Sequence, residues 1–359
     1  MSRCDALIVG GGPAGSTCAR LLRLAGWTVV VADRARFPRD KVCGGWITPE
    51  VFPLLDLEAA EYRAAGLTLQ EIRGFRTSLM GEDSIETRYP NVVSYAIRRC
   101  EFDDFLVRRA GIRLMEDTPL TSLRRRGDVW IANDQIETPV VVGAGGHFCP
   151  VARHLQGNRD AVKPVIAKEA EFRLDGRRTS VESDIPELFF CRDLDGYGWC
   201  VRKDEYVNVG IGRRPCADFG AHVRDFLSFL EGSGRTPKGS TLQLRGHAYY
   251  AMGTGLRPLV GPGVLIAGDA AGLAYPESGE GIRPAIEAGR LAAQTLIAAD
   301  GSYGIDDLLP YATRLRRLHR PVTTTPAPLR PAVTILGRAL MHSAAFTRHV
   351  VINRWFLRA

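Results

Sequence analysis

Apolar residues near the start of the chain follow two different periodicities. Short apolar runs occupy residues 6–9 and 28–32, and between them apolar residues recur at helical spacing over residues 14–25. Runs of this length are typical of buried strands, whereas the intervening spacing is typical of a helix. The segment therefore predicts a strand, a turn, a helix and a second strand.

Glycines fill the turn between the first strand and the helix. Gly10 permits a tight turn, Gly12 lets the backbone approach a pyrophosphate, and Gly15 lets the helix pack closely on the strand. Asp33 follows the second strand, where a carboxylate can accept hydrogen bonds from a ribose. The candidate cofactor-binding residues of this segment are Gly10, Gly12, Pro13, Ala14, Gly15, Asp33 and Arg34. The pattern predicts a bound dinucleotide without separating NAD from FAD.

A second motif lies far downstream. An apolar run ends at Gly268-Asp269, and a helical pattern follows over residues 280–296. Here the chain resembles the flavoprotein hydroxylase superfamily, and within it the geranylgeranyl reductase family. The resemblance implies that Asp269 binds the ribityl hydroxyls of FAD, and that amides near Gly281 and Ile282 face the N1/C2 edge of the flavin. A helix N-terminus there would stabilise the negative charge that reduction places on N1.

The segment at residues 95–106 resembles another motif of the same family, Arg-x-x-Phe-Asp. The resemblance implies that Arg99 lies beside the phosphates or ribose of the cofactor. The alternative interpretation is an arginine on a helix surface, because a phosphate contact needs a specific geometry.

Further segments resemble the reductase branch of the family. They are K-x-C-G-G at residues 41–45, Y-x-W at 197–199, N-V-G-x-G at 208–212 and S-G-E-G-I at 278–282. The resemblance implies that NAD(P)H reduces FAD and that the flavin N5 delivers a hydride to a carbon-carbon double bond of an apolar, prenyl or polyketide-like substrate. The candidate catalytic residues are Cys43, Tyr197 and Trp199. A half-buried structural cysteine and two core aromatic residues are the alternative interpretations.

Two other functions stay open at this stage. The first is an FAD-dependent monooxygenase of an aromatic or polyketide substrate, because the residues after Tyr197-Gly198-Trp199 depart from the reductase pattern. The second is a non-catalytic flavin-binding partner protein.

Residues 143–147 also depart from the family, since they read Gly-Ala-Gly-Gly-His where many relatives carry Asp-Gly. Contacts that the family's acid makes to flavin or nicotinamide are therefore unassigned.

The order of these segments predicts an α/β fold with a discontinuous Rossmann-like FAD-binding domain. We assign residues 1–73, 94–161 and 246–299 to that domain. Residues 74–93 and 162–245 contain alternating apolar and polar runs, which predict a mostly antiparallel β-sheet domain for the substrate. Residues 300–359 form a C-terminal helical, arginine-rich region, which the proline-rich stretch at 321–331 interrupts.

The composition of the chain mainly excludes other classes of protein. The 359 residues are 45% hydrophobic and 24% charged, as in soluble globular proteins, and no apolar run approaches the ~18 residues of a membrane span. Eight cysteines without a C-x-x-C pair indicate a reducing, cytoplasmic location. Neither they nor the seven histidines show ligand-like spacing, so we expect no metal.

Charge is concentrated at the C-terminus. Residues 308–359 contain nine arginines and no acidic residue, so the rest of the chain carries a net charge of −2 within a total of +7. The arginines are residues 314, 316, 317, 320, 330, 338, 348, 354 and 358. This block predicts peripheral association with an anionic membrane or an acidic carrier protein, with an ordinary solvated surface as the alternative. The sequence shows no nucleic-acid-binding motif.

Overall fold

The computed structural model of the protein describes residues 1–157, 163–237, 239, 242–253, 257–319 and 329–358. The chain divides into two compact units, each assembled from three segments. The first unit comprises Met1–Asp40, Cys100–Val162 and Tyr249–Val322. The second unit comprises Lys41–Arg99, Lys163–Ala248 and Thr323–Ala359.

The helices and strands are numbered in chain order. The strands are β1 (Ser2–Arg3), β2 (Ala6–Val9), β3 (Val29–Ala32), β4 (Trp46–Ile47), β5 (Leu69–Ile72), β6 (Gly74–Leu79), β7 (Ile85–Arg88), β8 (Ser94–Ile97), β9 (Arg113–Met115), β10 (Leu123–Arg126), β11 (Val129–Ala132), β12 (Ile136–Thr138), β13 (Val140–Gly143), β14 (Val165–Arg173), β15 (Glu187–Phe190), β16 (Gly196–Lys203), β17 (Tyr206–Arg213), β18 (Arg245–Tyr249), β19 (Val260–Gly261) and β20 (Val264–Ile266). The helices are α1 (Pro13–Leu24), α2 (Val51–Leu54), α3 (Ala59–Ala64), α4 (Arg99–Arg109), α5 (Pro150–Gln156), α6 (Phe219–Gly232), α7 (Ile282–Ala298), α8 (Ile305–Leu318), α9 (Arg330–Leu340) and α10 (Ala344–Phe346). A 3₁₀ turn at Gly268–Ala270 precedes α7, and a π-helix at Thr347–Leu357 follows α10.

A six-stranded sheet forms the centre of the first unit, in the order β19-β20-β13-β2-β3-β9. Its strands are parallel except for β19. Strands β2, β3 and β13 are buried along their whole length, which explains why their sequences read as unbroken apolar runs. The strand, turn, helix and strand predicted at the start of the chain are confirmed by β2, α1 and β3. A second sheet of this unit has the order β1-β12-β11-β10.

Helices α1, α7 and α8 share one apolar core with this sheet, into which Ile8 of β2 projects. A Cβ atom added at Gly289 of α7 would overlap the carbonyl oxygen of Ala14 in α1. The two helices therefore approach each other closely. Helix α8 is fixed by a buried hydrogen bond of 2.7 Å from the Tyr311 hydroxyl to the carbonyl oxygen of Ile266 in β20.

A seven-stranded sheet organises the second unit, in the order β18-β14-β17-β16-β15-β6-β7. The pairings β14–β17, β17–β16, β16–β15 and β6–β7 are antiparallel, and β15–β6 is parallel. A three-stranded antiparallel sheet, β4-β8-β5, belongs to the same unit. The predicted fold class is confirmed, including the mostly antiparallel sheet and the C-terminal helices.

Both faces of the seven-stranded sheet are covered. On one face, the ring of Phe226 from α6 occupies the space that a side chain at Gly198 would need. On the other face, Tyr197 and Trp199 share a core with Trp46 of β4 and Phe356 of the π-helix. The sheet of the second unit is thus a packed layer between helix α6 and the C-terminal π-helix.

The compact units differ in extent from the predicted domains. Residues 41–73 fall in the second unit, because β5 contributes Ile72 to the core beneath the seven-stranded sheet. The region 300–359 is shared, since α8 belongs to the first unit and α9, α10 and the π-helix to the second. The predicted boundary at 161–162 and most of the stretch 321–331 lie outside the described residues. Within the part of the chain that the structure describes, no helix is long and apolar enough to cross a membrane.

Candidate functional site

The glycine turn between β2 and α1 is held by two close backbone approaches. Gly10 has a φ of +108°, and a Cβ atom there would overlap the carbonyl oxygen of Ala144. A Cβ atom at Gly15 would overlap the carbonyl oxygen of Gly10. At both positions only glycine, which has no Cβ atom, fits without displacing backbone atoms. The turn therefore has the geometry that the sequence predicts.

The N-terminus of α1 is open to an anionic ligand. Its N-cap residue, Gly12, provides no side-chain hydrogen bond, and the first turn contains no acidic residue. Backbone amides at a helix start, together with the helix dipole, favour a phosphate. The Nη2 atom of Arg39 lies 3.5 Å from the position that a Cβ atom would take at Gly12. This arrangement places a cation beside the turn.

Asp33 anchors the turn from the end of β3. Its buried carboxylate accepts a hydrogen bond of 2.7 Å from the backbone amide of Gly11 and one of 2.9 Å from that of Ala35. Because a carboxylate offers about four lone-pair sites, it can accept a ribose hydroxyl as well. Arg39 lies 3.9 Å from Asp33 and 3.3 Å from the fully buried Asp103. These two carboxylates orient its guanidinium.

The downstream motif lies against the same turn. Gly268 has a φ of +67°, and a Cβ atom there would be 3.1 Å from the Cβ of Ala14. The Oδ1 atom of Asp269 lies 3.1 Å from the position that a Cβ atom would take at Gly281. Gly281 is the N-cap of α7, without a side-chain cap, and Ile282 is its first, buried residue. The structure thus brings both predicted motifs together in the first unit.

Two other residues were predicted to bind the cofactor. Arg34 follows β3 and is exposed to solvent. Arg99 is buried as the first residue of α4 and belongs to the second unit. Their roles stay predictions. Sequence reasoning missed Arg39, because nothing in the run of charged residues at 34–40 distinguishes it from its neighbours.

The features of the first unit fit a dinucleotide. A Cβ atom at Gly12 would meet nothing closer than Arg39 at 3.5 Å, the N-cap residues of α1 and α7 are glycines that offer no side-chain cap, and Asp33 has accepting capacity left. The residues that would hold FAD are the turn at 10–15, Asp33 and Arg39 for the adenosine diphosphate part. Asp269 and the first turn of α7 would hold the flavin part.

A buried polar network in the second unit supports the loop that carries Cys43. Asn208 of β17 donates a hydrogen bond of 2.9 Å to Glu169 and one of 3.3 Å to the carbonyl oxygen of Cys43. The backbone amide of Cys43 donates to Glu169 in turn. The Sγ atom of Cys43, which is half-buried, accepts from the amide of Gly45 at 3.3 Å. The loop is therefore anchored on the sheet from several sides.

Two glutamates of β14, whose pKa values are shifted in opposite directions, belong to this network. Glu169 and Glu171 are two residues apart and so point to the same face of the strand. Burial raises the pKa of Glu169. Burial would also raise the pKa of Glu171, but Lys203 at 2.7 Å and Arg98 at 2.9 Å hold that pKa below its usual value. The network thus pairs one carboxyl that favours its proton with one that favours its charge.

The two aromatic candidate residues, Tyr197 and Trp199, lie on β16, next to the strand that carries Asn208. Trp199 is buried, and its indole N–H donates a hydrogen bond of 2.7 Å to Asn208. Tyr197 is half-buried, with its ring centroid 5.4 Å from that of Phe356 and 5.6 Å from that of Phe190. Both residues belong to an aromatic core. Their catalytic roles stay predictions, as does that of Cys43.

Comparisons with known proteins identify related flavoproteins. A family model described as FAD binding domain matches residues 3–95. A menaquinone reductase from Mycobacterium tuberculosis is 31% identical over 327 residues, covering 82% of this chain and 77% of that protein. A digeranylgeranylglycerophospholipid reductase from Methanothrix thermoacetophila is 30% identical, covering 88% of this chain and 83% of that protein.

Solved structures share the fold. A geranylgeranyl bacteriochlorophyll reductase-like protein from Thermoplasma acidophilum superposes with a TM-score of 0.75 at 21% identity, covering 95% of this chain and 88% of that chain. A flavin-dependent brominase superposes with a TM-score of 0.72 at 17% identity, and the match covers 99% of this chain and 93% of the brominase chain. The FAD-binding family match and the reductase relatives show an FAD-dependent oxidoreductase. The chain belongs to the geranylgeranyl reductase family of these flavoproteins.

Proposed function

We propose that the protein reduces a carbon-carbon double bond in the isoprenoid chain of an apolar substrate, with NAD(P)H as the electron donor. The observation that carries this proposal is the 31% identity with a menaquinone reductase over 82% of the chain. A geranylgeranyl diphosphate reductase from Rhodobacter capsulatus is a further relative, 27% identical over 82% of this chain and 75% of that protein. Two of the relatives are thus named as reductases of compounds that carry geranylgeranyl chains.

The residues of the first unit support the cofactor's part in this reaction. FAD, when bound, supplies the hydride chemistry. The N-terminus of α1 and the Arg39 guanidinium offset the charge of a diphosphate. The N-terminus of α7, where the N-cap residue Gly281 offers no side chain, favours negative charge beside Asp269. These groups orient the cofactor and stabilise charge without entering the reaction.

Residues of the second unit support an apolar substrate. The ring of Tyr197 packs against the buried Phe190, Trp199 and Phe356, and its half-buried aromatic edge is the part of this core that suits a prenyl chain. Saturation of a double bond consumes a proton as well as a hydride. The half-buried thiol of Cys43 is our candidate for holding that proton, because its loop is fixed by Asn208 and Glu169.

An anaerobic titration tests the electron donor. The purified holoenzyme is mixed with NADH or NADPH in the absence of oxygen, and the flavin absorbance is followed. We expect one of the two donors to bleach the flavin. If neither donor reduces fully loaded enzyme, the nicotinamide part of the proposal is wrong and the family's reductase chemistry must draw electrons from another source.

A substrate panel tests the reaction. Reduced enzyme is offered a menaquinone, geranylgeranyl diphosphate and a phenol, and products are identified by mass spectrometry. We expect saturation of an isoprenoid double bond, and loss of that activity in Cys43→Ser with FAD content unchanged. Cys216→Ser is the matched control, since Cys216 is a half-buried thiol outside the network. Products that contain oxygen and form only in air would instead assign a monooxygenase.

A further inference from the structure

Helix α9 presents an apolar face to solvent. Four large side chains along and just before it are exposed to large extents: 55% for Leu329, 50% for Val333, 71% for Ile335 and 60% for Leu336. None of the residues 330–340 is buried. Single exposed apolar residues are common on protein surfaces, but a contiguous group on one short helix marks an interaction site.

Another side of the same helix is attached to the second unit. A Cβ atom at Gly337 would lie 2.7 Å from the Cδ1 atom of Leu194, so the helix backbone contacts that side chain directly. Met341, the C-cap residue, is buried. The helix is therefore anchored along one side, and its apolar exposure is a property of the folded protein.

Charge identifies the kind of partner. Arg330 and Arg338 are exposed on α9, and no residue of the sequence from 308 to 359 is acidic. Thr334 is the only uncharged polar residue of the helix. Protein interfaces surround their apolar centre with hydrogen-bonding side chains of several kinds. Asp193 and Asp195, which flank the contact residue Leu194, are paired with Arg213 and Arg214. Helices that combine exposed apolar residues with arginines and carry no acidic residue of their own are instead typical of the interface of an anionic membrane.

The length of the helix agrees with a surface position. At ~1.5 Å per residue, its 11 residues extend about 16 Å, roughly half of the hydrocarbon thickness of a bilayer. A helix of this length can lie along the interface with one side in the lipid.

We propose that α9 docks the protein onto an anionic membrane surface. Ile335 and Leu336 enter the boundary between headgroups and acyl chains, and Arg330 and Arg338 bind lipid phosphates. This surface would hold the protein where long-chain apolar molecules are dissolved. The proposal rests on α9 alone, so it stands or falls independently of the proposed reaction.

Vesicle sedimentation with the full-length holoenzyme tests the proposal. The probes are vesicles of phosphatidylcholine alone and of phosphatidylcholine mixed with phosphatidylglycerol, each at low and high salt. We expect binding to the anionic vesicles at low salt and release at high salt. Equal recovery with neutral and anionic vesicles at low salt would overturn the proposal.

Paired variants separate the apolar from the electrostatic contribution. Arg330→Gln with Arg338→Gln should weaken binding to anionic vesicles by roughly thirtyfold, at ~1 kcal/mol for each arginine near the surface. Ile335→Ser with Leu336→Ser should weaken it by at least about tenfold, because buried apolar area is lost. Flavin absorbance reports whether each variant is folded and loaded.

Matched controls use exposed residues away from α9. Arg177→Gln with Arg178→Gln removes two exposed arginines, and Leu24→Ser removes a leucine of 55% exposure. Both should bind like the parent. If the α9 variants also bind like the parent, or if the serine pair abolishes a dimer seen by light scattering instead, the membrane role of α9 is wrong.

Discussion

Asn208→Leu is the substitution that most directly tests the buried network under the Cys43 loop. Leucine is close to asparagine in size but can neither accept nor donate a hydrogen bond. The change removes the acceptor of the Trp199 indole N–H at 2.7 Å and the donor to Glu169 at 2.9 Å. The weaker contact to the Cys43 carbonyl oxygen, at 3.3 Å, is lost with them.

The expected cost follows from the burial of the partners. Trp199 and Glu169 are only 6% and 8% exposed, so water cannot replace the lost bonds easily. Each buried polar group left without a partner costs about 1–3 kcal/mol, which gives about 2–6 kcal/mol for the two. We expect the Cys43 loop to loosen as well, because Asn208 and Glu169 both hold it.

Urea denaturation of the apoprotein, followed by tryptophan fluorescence, measures this cost as a shift of the midpoint. Asn91→Leu is the control, since Asn91 is exposed in the same unit and should change stability by less than about 0.5 kcal/mol. A second readout is the rate at which a thiol reagent modifies Cys43 in the folded holoenzyme, which should rise. An Asn208→Leu variant with the stability of Asn91→Leu would refute the role of the network.

Three further predictions concern burial and packing. Glu169→Gln should raise the urea midpoint relative to the parent at about pH 9 but not at about pH 4, because burial raises the pKa of Glu169 and its stabilising contribution is lost as pH rises through that pKa. Gly289→Ala should lower both stability and FAD content, by about 1–3 kcal/mol for stability, since the added methyl would overlap the Ala14 carbonyl oxygen; the open helix position Gly232→Ala should not. Tyr311→Phe should destabilise the apoprotein by about 1–2 kcal/mol in the same assay, through loss of its buried hydrogen bond.

Each of these outcomes can fail in a recognisable way. A pH-independent difference between Glu169→Gln and the parent would mean that this carboxyl does not titrate differently on folding. Equal FAD content in Gly289→Ala and Gly232→Ala would mean that close approach of α1 and α7 is unnecessary for the cofactor. A Tyr311→Phe variant as stable as the parent would mean that the hydroxyl contributes nothing to holding α8.

Local patterns predicted the first unit well. The glycine turn and the strand before it are determined by residues close in sequence, so Gly10 and Gly15 could be assigned roles directly. The pairing with Gly268 was predicted from the order of motifs, although the two lie far apart in the chain. Close packing of Gly289 on Ala14 is the physical reason that both motifs share one unit.

Side-chain contacts between residues far apart in the chain could not be predicted from the sequence. Glu169 and Glu171 alternate with apolar residues on β14, as charged residues on a solvated face also do. Only the pairing of β14 with β17 brings Asn208 beside them. Arg39 is similar, because its role depends on Asp103, a buried residue of α4. Residues 41–73, which we assigned to the FAD domain, lie within the second compact unit, and their domain assignment stays a prediction.

An anaerobic single turnover tests the central claim most directly. The holoenzyme is reduced with NADH or NADPH, and a menaquinone or geranylgeranyl substrate is added without oxygen. The account predicts that the flavin is reoxidised and that one isoprenoid double bond is saturated in the product. Flavin that stays reduced until air enters, with oxygen then appearing in the product, would contradict it.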